Sequence, residues 1–473
     1  MDVIESMAMG KRKTKQQDLW VSTNEIPRAA SHPFYAKVNE VLERHQVDRR
    51  LEQVCRRFYK PTFGRPSISP GVYFRLLLIG FFEGIDSERG IAWRVADSWS
   101  LREYLGFGVT EQTPDHSTIS RTRRLLPVET HKAVFRWFVR VLGEEGLIEG
   151  QTIAIDATTL EASAAMRSIR RRDNGRKYEE YLKELAQAAG IENPTREQLA
   201  RMDRKRKKKG SNQEWMSPAD PDARITKMKD GRTHLAHKAE HAVDLASGAV
   251  VAVTLQAADL GDTTTIGETL QEAQANAALV NQRGVEEAVA DKGYHSSAVL
   301  VDLHAEGVRS YIPEPERGPR KWDGKEKEQK QVYANRRRMS GRRGKDLQKL
   351  RSELTERSFA HMYETGGMRR THLRKRNNIL KRLLFHAIGF NLALLLRKSY
   401  GIGKPRTWQG ASDTILLVRM ALAALCACWI ESAEPHEAEF DTLSDLVGAP
   451  LRETFLPQAV RTQFLAGILE IAH

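Results

Sequence analysis

Three acidic residues, far apart in the chain, are of a type that binds metal ions. Asp156 ends the apolar run 151–156, and Asp291 ends a second run of strand-forming residues, 286–291. Because open α/β sheets place functional groups at the carboxyl ends of their strands, both aspartates are candidate ligands. Glu356 lies in a charged helical segment and would complete a set of three carboxylates. Oxygen ligands of this kind suit a hard cation such as Mg²⁺.

The chemistry that such a set performs is phosphodiester cleavage. Two divalent ions about 3.5–4 Å apart activate the attacking oxygen and neutralise the charge on the leaving oxygen. Each acid taken alone has a simpler interpretation, because an aspartate at a strand end often caps the following turn. Glu161, Glu353 and Glu364 are further candidates for the third carboxylate, and Glu353 lies on nearly the same helix face as Glu356.

The segments around these acids alternate between strands and helices, which predicts an α/β domain. Upstream of residue 128 the pattern is that of short helices, among them an apolar helix over 70–82 that begins with a proline. The turn residues at 245–248 predict a hairpin. The remaining predicted elements are strands at 151–156, 240–244, 249–255, 286–291 and 308–312, and helices at 87–98, 263–279 and 295–306.

The composition favours a polyanionic partner. The chain has 473 residues, a net charge of +14 at pH 7 and a pI near 9.6. A charge surplus of this size is typical of proteins that bind nucleic acid. The three cysteines have no paired spacing, which favours a reducing, cytoplasmic setting over a disulfide framework. The late apolar stretch 414–430 is shorter than the ~20 residues that span a bilayer, so no membrane role is expected.

Basic residues that could contact DNA occur in three groups. A helix that opens at 113–120 has polar oxygens to cap its first turn and would lie in a major groove like the second helix of a helix-turn-helix. The segment 166–230, an insertion in the α/β domain, contains the run 204–209, which is either a solvated loop or a phosphate contact. The residues predicted to bind DNA are Arg121, Arg123 and Arg124 in that helix, and Arg336, Arg337, Arg338, Arg342 and Arg343 beside the acidic helix.

Two other sets of residues have simpler interpretations. His234, His237 and His241 precede a strand-forming run without a zinc-binding pattern, so we interpret them as structural rather than as metal ligands. Trp93 and Trp99 are predicted to pack in the core or against turns rather than to stack on bases.

Three passages of the chain resemble the DDE-type insertion-sequence transposases of bacteria. Residues 64–89, followed by PDHSTIS at 114–120, are similar to the N-terminal domain of that family. IDAT at 155–158 resembles its first catalytic strand, and ADKGY at 290–294, the most specific motif, resembles its second. The likeness covers roughly residues 63–399.

The resemblance implies a function and a site. Asp156, Asp291 and Glu356 would be the metal-binding triad, with Phe359 at the offset from Glu356 that the family shows. The implied cofactor is Mg²⁺, or Mn²⁺, as two ions. The implied partner is double-stranded DNA, both as terminal inverted repeats and as target, bound by a homo-oligomer assembled on the DNA.

The resemblance also implies an α/β fold. A ribonuclease-H-like mixed sheet with flanking helices would follow an all-α N-terminal domain and precede a helical tail. The predicted divisions are an N-terminal extension at 1–62, a helical DNA-binding domain at 63–148, a catalytic domain at 149–400 with its basic insertion at 166–230, and a helical C-terminal tail at 401–473.

Two alternatives to a transposase stay open. A nuclease of the same fold would use the same carboxylates and differ only in the attacking nucleophile. A DNA-binding protein descended from a transposase would have lost the chemistry, against which the intact triad speaks.

Overall fold

The computed structural model describes residues 32–60, 67–108, 110–206, 210–228, 230–316, 318, 320–401 and 403–405. The predicted C-terminal tail lies almost wholly outside these residues, as does the early part of the predicted N-terminal extension.

Among the described residues seven α-helices precede the sheet, and local sequence signals explain several of their boundaries. The apolar helix begins at Pro70, and the Ser69 hydroxyl accepts a hydrogen bond from the Val72 amide. Asp115 caps its helix in the same way, accepting from Thr118 N at 2.7 Å, so the predicted capping is confirmed. The helices are α1 (Pro33–Arg44), α2 (Val47–Cys55), α3 (Pro70–Phe82), α4 (Glu88–Ala96), α5 (Trp99–Tyr104), α6 (His116–Leu125) and α7 (Val128–Glu144).

A mixed sheet lies at the centre of the molecule. The first strand pairs antiparallel with the long strand of the hairpin on one side and parallel with a short strand on the other. This arrangement confirms the predicted ribonuclease-H-like sheet with flanking helices. Its strands are β1 (Thr152–Glu161), β4 (Arg224–Lys227), β5 (Thr233–Asp244), β6 (Val250–Ala257), β7 (Glu287–Ala290) and β8 (Arg309–Tyr311), in the order β4-β5-β1-β7-β8 with β6 also paired to β5; β2 (Arg170–Arg171) and β3 (Trp215–Met216) form a separate pair.

Helices cover both faces of this sheet. The helix after the hairpin packs on one face, and the helix that carries Glu356 packs on the other and continues into a π-helical turn over Ala360–Thr365. The described α-helices that follow β1 in the chain, including the two helices of the insertion, are α8 (Tyr178–Ala188), α9 (Arg196–Lys205), α10 (Asp262–Ala277), α11 (Ser297–Ala305), α12 (Glu326–Ser340), α13 (Arg342–Phe359) and α14 (Arg376–Tyr400).

Two strands are longer than the sequence predicted. β1 continues five residues past Asp156 to Glu161, so the prediction that Asp156 ends a strand is wrong. β5 begins at Thr233 rather than at residue 240. In both cases a polar stretch is extended because it pairs with its neighbour, as Thr158 does with Ala239.

One hydrophobic core joins the N-terminal helices to the sheet, without a break near residue 148. Helix α14 contributes most to this connection, because it packs on α3, on α7 and on β6, while α7 also contacts α10. It is long and apolar enough to cross a membrane, but 94% of its apolar window is buried in the protein, as in the core helix of a soluble protein.

Candidate active site

Asp156 lies in the middle of β1 with its side chain 23% exposed. Its Oδ2 accepts hydrogen bonds from Arg351 Nη1 at 2.9 Å and from Thr355 Oγ1 at 3.2 Å, both on α13. Its Oδ1 accepts from the Ala157 amide at 2.8 Å. The carboxylate therefore faces α13 and is balanced there by one guanidinium.

Asp291 directly follows β7, the strand that runs parallel to β1. Ile155 of β1 pairs with Ala290 of β7, so Asp156 and Asp291, which directly follow these two residues, are neighbours across the sheet. The side chain of Asp291 accepts a hydrogen bond from Gly293 N at 2.7 Å and so fixes the turn after the strand. Burial raises the pKa of the Asp156 carboxyl, and the negative charge of Asp291 adds to this, while Arg351 opposes it.

The third predicted carboxylate, Glu356, lies on α13 next to Thr355. Thr355 points toward Asp156. Because successive helix residues are rotated by about 100°, Leu354 and Glu356 point to opposite sides of α13 relative to Thr355. Leu354 packs near Gly248, at the end of the sheet away from the carboxyl end of β1. Glu356 consequently lies on the side toward the carboxyl ends of β1 and β7.

The alternative third carboxylates are engaged elsewhere. Glu353 is further around the helix toward solvent and pairs with Arg357 at 2.6 Å. Glu161, at the end of β1, is 3.7 Å from Arg370, and the exposed Glu364 pairs with Arg369. Within the described part of the chain the side chain of Glu356 has neither a hydrogen bond nor an ion pair, so its carboxylate is the least engaged of these acids.

The donor set suits a hard divalent cation, although the described residues do not form a closed metal centre. No group of three or more acidic, histidine or cysteine side chains within these residues is gathered closely enough to hold an ion. Two carboxylates on adjacent strands, with a third on the helix across from them, are nevertheless oxygen donors of the kind that Mg²⁺ prefers. Burial is the main cause of the raised pKa of the Asp156 carboxyl, the charge of Asp291 adds to it, and Arg351 opposes both.

A further carboxylate near Asp291 was missed by the sequence analysis. A Cβ added at Gly293 would come within 2.5 Å of Asp262 Oδ2 and within 3.0 Å of Asp291 Oδ1, so both carboxylates approach one point. Asp262 is the first residue of α10, and Lys238 Nζ donates to its Oδ1 at 2.6 Å. Only the chain folding back from β6 brings it here, so no local pattern could have identified it.

The opposite face of the sheet carries a buried polar network centred on Glu240. This carboxylate is fully buried and accepts hydrogen bonds from the hydroxyls of Thr265, Thr269 and Tyr294. Burial raises the pKa of Glu240, and burial together with the charge of Glu240 raises the pKa of Tyr294. Every oxygen of this carboxylate is thus occupied from within the protein.

The histidines of β5 have protein partners. His237 is buried and bonds to the buried Asp220 at 2.9 Å. His241 is buried beneath α13, near Ser358 Oγ at 3.2 Å and Tyr363 OH at 3.1 Å. Burial lowers the pKa of His241 to about 3, so this ring is neutral near pH 7. Among the described residues, Nδ1 of the buried His237 has no hydrogen-bond partner, so Asp220 satisfies only one nitrogen of that ring.

The first predicted DNA-binding group is divided by the fold. Arg121 and Arg124 are exposed on α6. Arg123, by contrast, has an 11% exposed side chain and pairs with Glu88 of α4 at 2.6 Å. Arg123 therefore ties two helices together, which leaves two of the three arginines facing solvent.

The second predicted group is also divided. Arg337 is exposed on α12, and Arg342 is 96% exposed at the start of α13, within 3.8 Å of Asp346. Arg336 pairs with Glu314 at 2.6 Å and Arg343 pairs with Glu287, yet both remain partly exposed. Arg338 is half-buried and donates to the Ser310 carbonyl at 2.9 Å.

The prediction that Trp93 packs in the core or against a turn is wrong, because its side chain is 68% exposed on α4. Trp99 is 47% exposed, and the guanidinium of Arg102 lies 5.4 Å from the centre of its ring. Neither tryptophan falls within the apolar face of its helix, which explains why periodicity alone misplaced them.

Two family models match this chain. One, described as a transposase DDE domain, matches residues 149–392, and the other, described as a transposase domain (DUF772), matches residues 23–125. No curated protein and no solved structure matches. The first model covers more than half of the 473 residues and includes Asp156, Asp291 and Glu356. As the resemblance predicted, the chain belongs to the DDE transposase family.

Proposed function

We propose that this transposase binds the ends of a mobile DNA element and catalyses DNA strand cleavage and strand transfer with divalent metal held by Asp156, Asp291 and Glu356. The observation that carries the proposal is that Asp156 on β1 and Asp291, which directly follows the adjacent strand β7, are next to each other, with the helix of Glu356 packed across from them.

The protein's own groups hold these carboxylates in place. Arg351 and Thr355 fix one oxygen of Asp156, and the Gly293 amide fixes Asp291. Gln348 donates to the carbonyls of Ala290 and Tyr311 and so holds α13 against β7 and β8. Such support keeps the carboxylates within the small tolerance that catalytic geometry allows.

Bound between these carboxylates, two Mg²⁺ or Mn²⁺ ions would stabilise the attacking and leaving oxygens of an in-line displacement. The nucleophile is water in the cleavage step and a 3′-hydroxyl of the DNA in the joining step. Arg351 pairs with Asp156 at 2.9 Å and so favours the ionised form of this partly buried carboxylate.

The DNA would be held by basic residues on either side of the carboxylates. Arg121 and Arg124 on α6 are the arginines of the first group that face solvent, so we assign them to contacts with the ends of the element. Arg336, Arg337, Arg342 and Arg343, with a smaller part for Arg338, would contact phosphates near the site of cleavage.

Moving an element requires two DNA ends to be processed together, so we propose that the active form is a homo-oligomer assembled on DNA in the cytoplasm. The segment suggested by its apolar sequence as an interface, from residue 407 onward, lies outside the described residues.

The test is a strand-transfer assay with pre-cut element ends, whose sequences are the short inverted repeats expected beside the gene. We expect cleavage and joining in Mg²⁺ and in Mn²⁺, and neither in EDTA. Cleavage without joining would instead identify a nuclease of the same fold. Specific binding without cleavage in either metal would identify a DNA-binding protein that has lost its chemistry.

A further inference from the structure

The insertion at 166–230 holds a disproportionate share of the protein's positive charge. It contains 18 lysine and arginine residues against 11 aspartate and glutamate residues, a net charge of +7. The whole chain of 473 residues has a net charge of +14, so half of the surplus lies in this one segment. A concentration of that kind predicts contact with a polyanion.

The insertion has a small core of its own. Trp215 is almost fully buried there, together with Ile169 and Ala162, and the rings of Tyr178 and Tyr181 pack edge-on against it. Its two helices, α8 and α9, pack through Leu182, Ala186 and Leu199. The charged residues of α8 and α9 therefore lie on helices that pack against each other.

Buried polar contacts fix the insertion to the catalytic sheet and to α14. Asp220 pairs with His237 of β5, and both side chains are fully buried. The other oxygen of Asp220 accepts from the Lys375 amide at 3.1 Å, and Asp222 accepts from the Arg376 amide at 3.0 Å. Carboxylates at a helix start are favourable, so this loop caps α14 while it anchors the insertion.

The chain enters the insertion from β1, the strand that carries Asp156. β1 runs five residues past Asp156 to Glu161, and the insertion begins directly beyond it. The insertion thus follows from the carboxyl end of β1, the end toward which Asp291 and Glu356 also lie. DNA held by the insertion would be held at the same end of the sheet as the proposed catalytic carboxylates.

The two insertion helices differ in how their charges are balanced. On α8 the glutamates are paired with basic neighbours, as Glu179 is with Lys183, Glu180 with Lys177 and Glu184 with Arg176. Helix α9 carries Arg201, Arg204 and Lys205 on the face opposite Leu199. We call these three residues the α9 stripe. All three are exposed, and within the described part of the chain none of them forms a salt bridge.

We propose that the α9 stripe is a third DNA-binding surface, besides the two arginine groups proposed above, and that it binds the phosphate backbone of duplex DNA beside the catalytic carboxylates. The inference rests on the proposed function, since it takes the same DNA as its partner. Lysine and arginine contacts to phosphate carry no sequence information, so the stripe holds the duplex in position and does not select it.

The test compares two triple variants of the full chain. Arg201→Gln, Arg204→Gln and Lys205→Gln together remove the stripe. Arg176→Gln, Lys177→Gln and Lys183→Gln together remove the same charge from α8 and the two residues before it, where each basic side chain already has a carboxylate partner on α8; this set is the α8 variant. DNA affinity is measured for both variants and for the wild type on one duplex over a range of salt concentrations, with thermal unfolding as the check that all three proteins are folded.

Each phosphate contact contributes about −0.9 to the slope of log K against log salt for duplex DNA. We expect the stripe variant to reduce the magnitude of the slope by about 2 to 3. We also expect it to lose hydroxyl-radical protection of a block of backbone sugars next to the cleavage site. The α8 variant is expected to change the slope by less than 1 and to keep the full protection.

Equal slopes and equal protection in the two variants would overturn the inference, since the effect would then be one of net charge alone. A stripe variant that keeps the wild-type slope would also overturn it. In either of these cases a wild type that still cleaves the DNA leaves the proposed function standing. A wild type that fails to bind or cleave DNA at all would contradict the proposed function itself.

Discussion

The two faces of the central sheet treat their carboxylates differently, although the carboxylates lie on neighbouring strands. On the α10 face, Glu240 is fully buried and its oxygens are satisfied by three hydroxyls. On the α13 face, Asp156 is partly exposed and balanced by one guanidinium, and Glu356 has no partner among the described residues. Carboxylates of the first kind support the fold, whereas those of the second kind still have capacity to bind.

The difference shows that the number of acids near a sheet is a poor guide to its chemistry. A buried carboxylate with every lone pair occupied contributes to stability and leaves nothing for a ligand. A carboxylate at the open edge has fewer protein partners, so replacing it should affect the reaction more than the fold. Four experiments test this difference between the two faces.

The largest effect is expected for Asp156→Asn and Asp291→Asn. Each change removes a negative ligand oxygen and with it several kcal/mol of transition-state stabilisation, which corresponds to a loss of about a thousandfold or more in cleavage rate. Thermal unfolding and DNA affinity should stay near the wild-type values, because neither carboxylate is enclosed by the fold. Cleavage within tenfold of wild type by either variant in Mg²⁺ would remove that residue from the site.

A loss of similar size is expected for Glu356→Gln but not for Glu353→Gln. Both side chains are exposed on α13, but Glu356 lies on the side toward the carboxyl ends of β1 and β7, while Glu353 pairs with Arg357. The pair is a matched control, since both changes remove one exposed charge from one helix. Cleavage rates measured side by side decide between them, and inactivity of the Glu353 variant alone would reverse the assignment.

A substitution in the buried network on the α10 face should reduce the stability of the protein. Glu240→Ala removes the shared acceptor of Thr265, Thr269 and Tyr294, and losing one member of a buried charged network costs about 3–5 kcal/mol. The free energy of unfolding from urea titration measures this, with Asp156→Ala as the control on the other face. Should the Asp156 change cost as much stability as the Glu240 change, the distinction between the two faces would not hold.

A drop in pH is expected to have a smaller effect on stability, through the buried His241 under α13. Its pKa is about 3 in the folded protein and near 6.5 in the unfolded chain, so between these values the unfolded state binds the extra proton. Stability therefore falls as the pH drops below 6.5, by about 2 kcal/mol at pH 5 from this residue.

The check is the change in unfolding free energy between pH 7 and pH 5, compared for the wild type and His241→Phe. The variant should lose about 2 kcal/mol less on acidification, whatever constant offset the lost bonds to Ser358 and Tyr363 introduce. Other buried histidines, such as His131, act equally in both proteins and cancel in the comparison. Identical losses would mean that burial does not keep His241 neutral.

Local patterns predicted the hairpin, the helix that begins at Pro70 and the turn after Asp291, because each has its signal within a few residues. They missed the second half of β1 and the first half of β5. Those stretches are polar, and they become strands only by pairing with each other. Intrinsic β-propensity is a poor predictor of a strand that is buried by residues far away in the sequence.

The candidate site divides in the same way. Its carboxylates were predicted from their types and from the family resemblance, and their assignment as ligands stays a prediction. The groups that hold Asp156 were not predicted, since Arg351 reaches it across 195 residues of sequence. Asp262 was missed for the same reason, because its approach to Asp291 depends on the path of the chain after β6.

Helix α14 sets the moment during synthesis at which this protein can finish folding. It packs on α3, α7 and β6, yet it is made only after residue 376. At about 5–20 residues per second, a ribosome needs roughly 20–80 s to reach its end, and until then the apolar surfaces that it covers stay exposed. A chain released before this helix has emerged would lack the contact that joins its two halves, so premature termination should yield aggregated fragments and not a working catalytic domain.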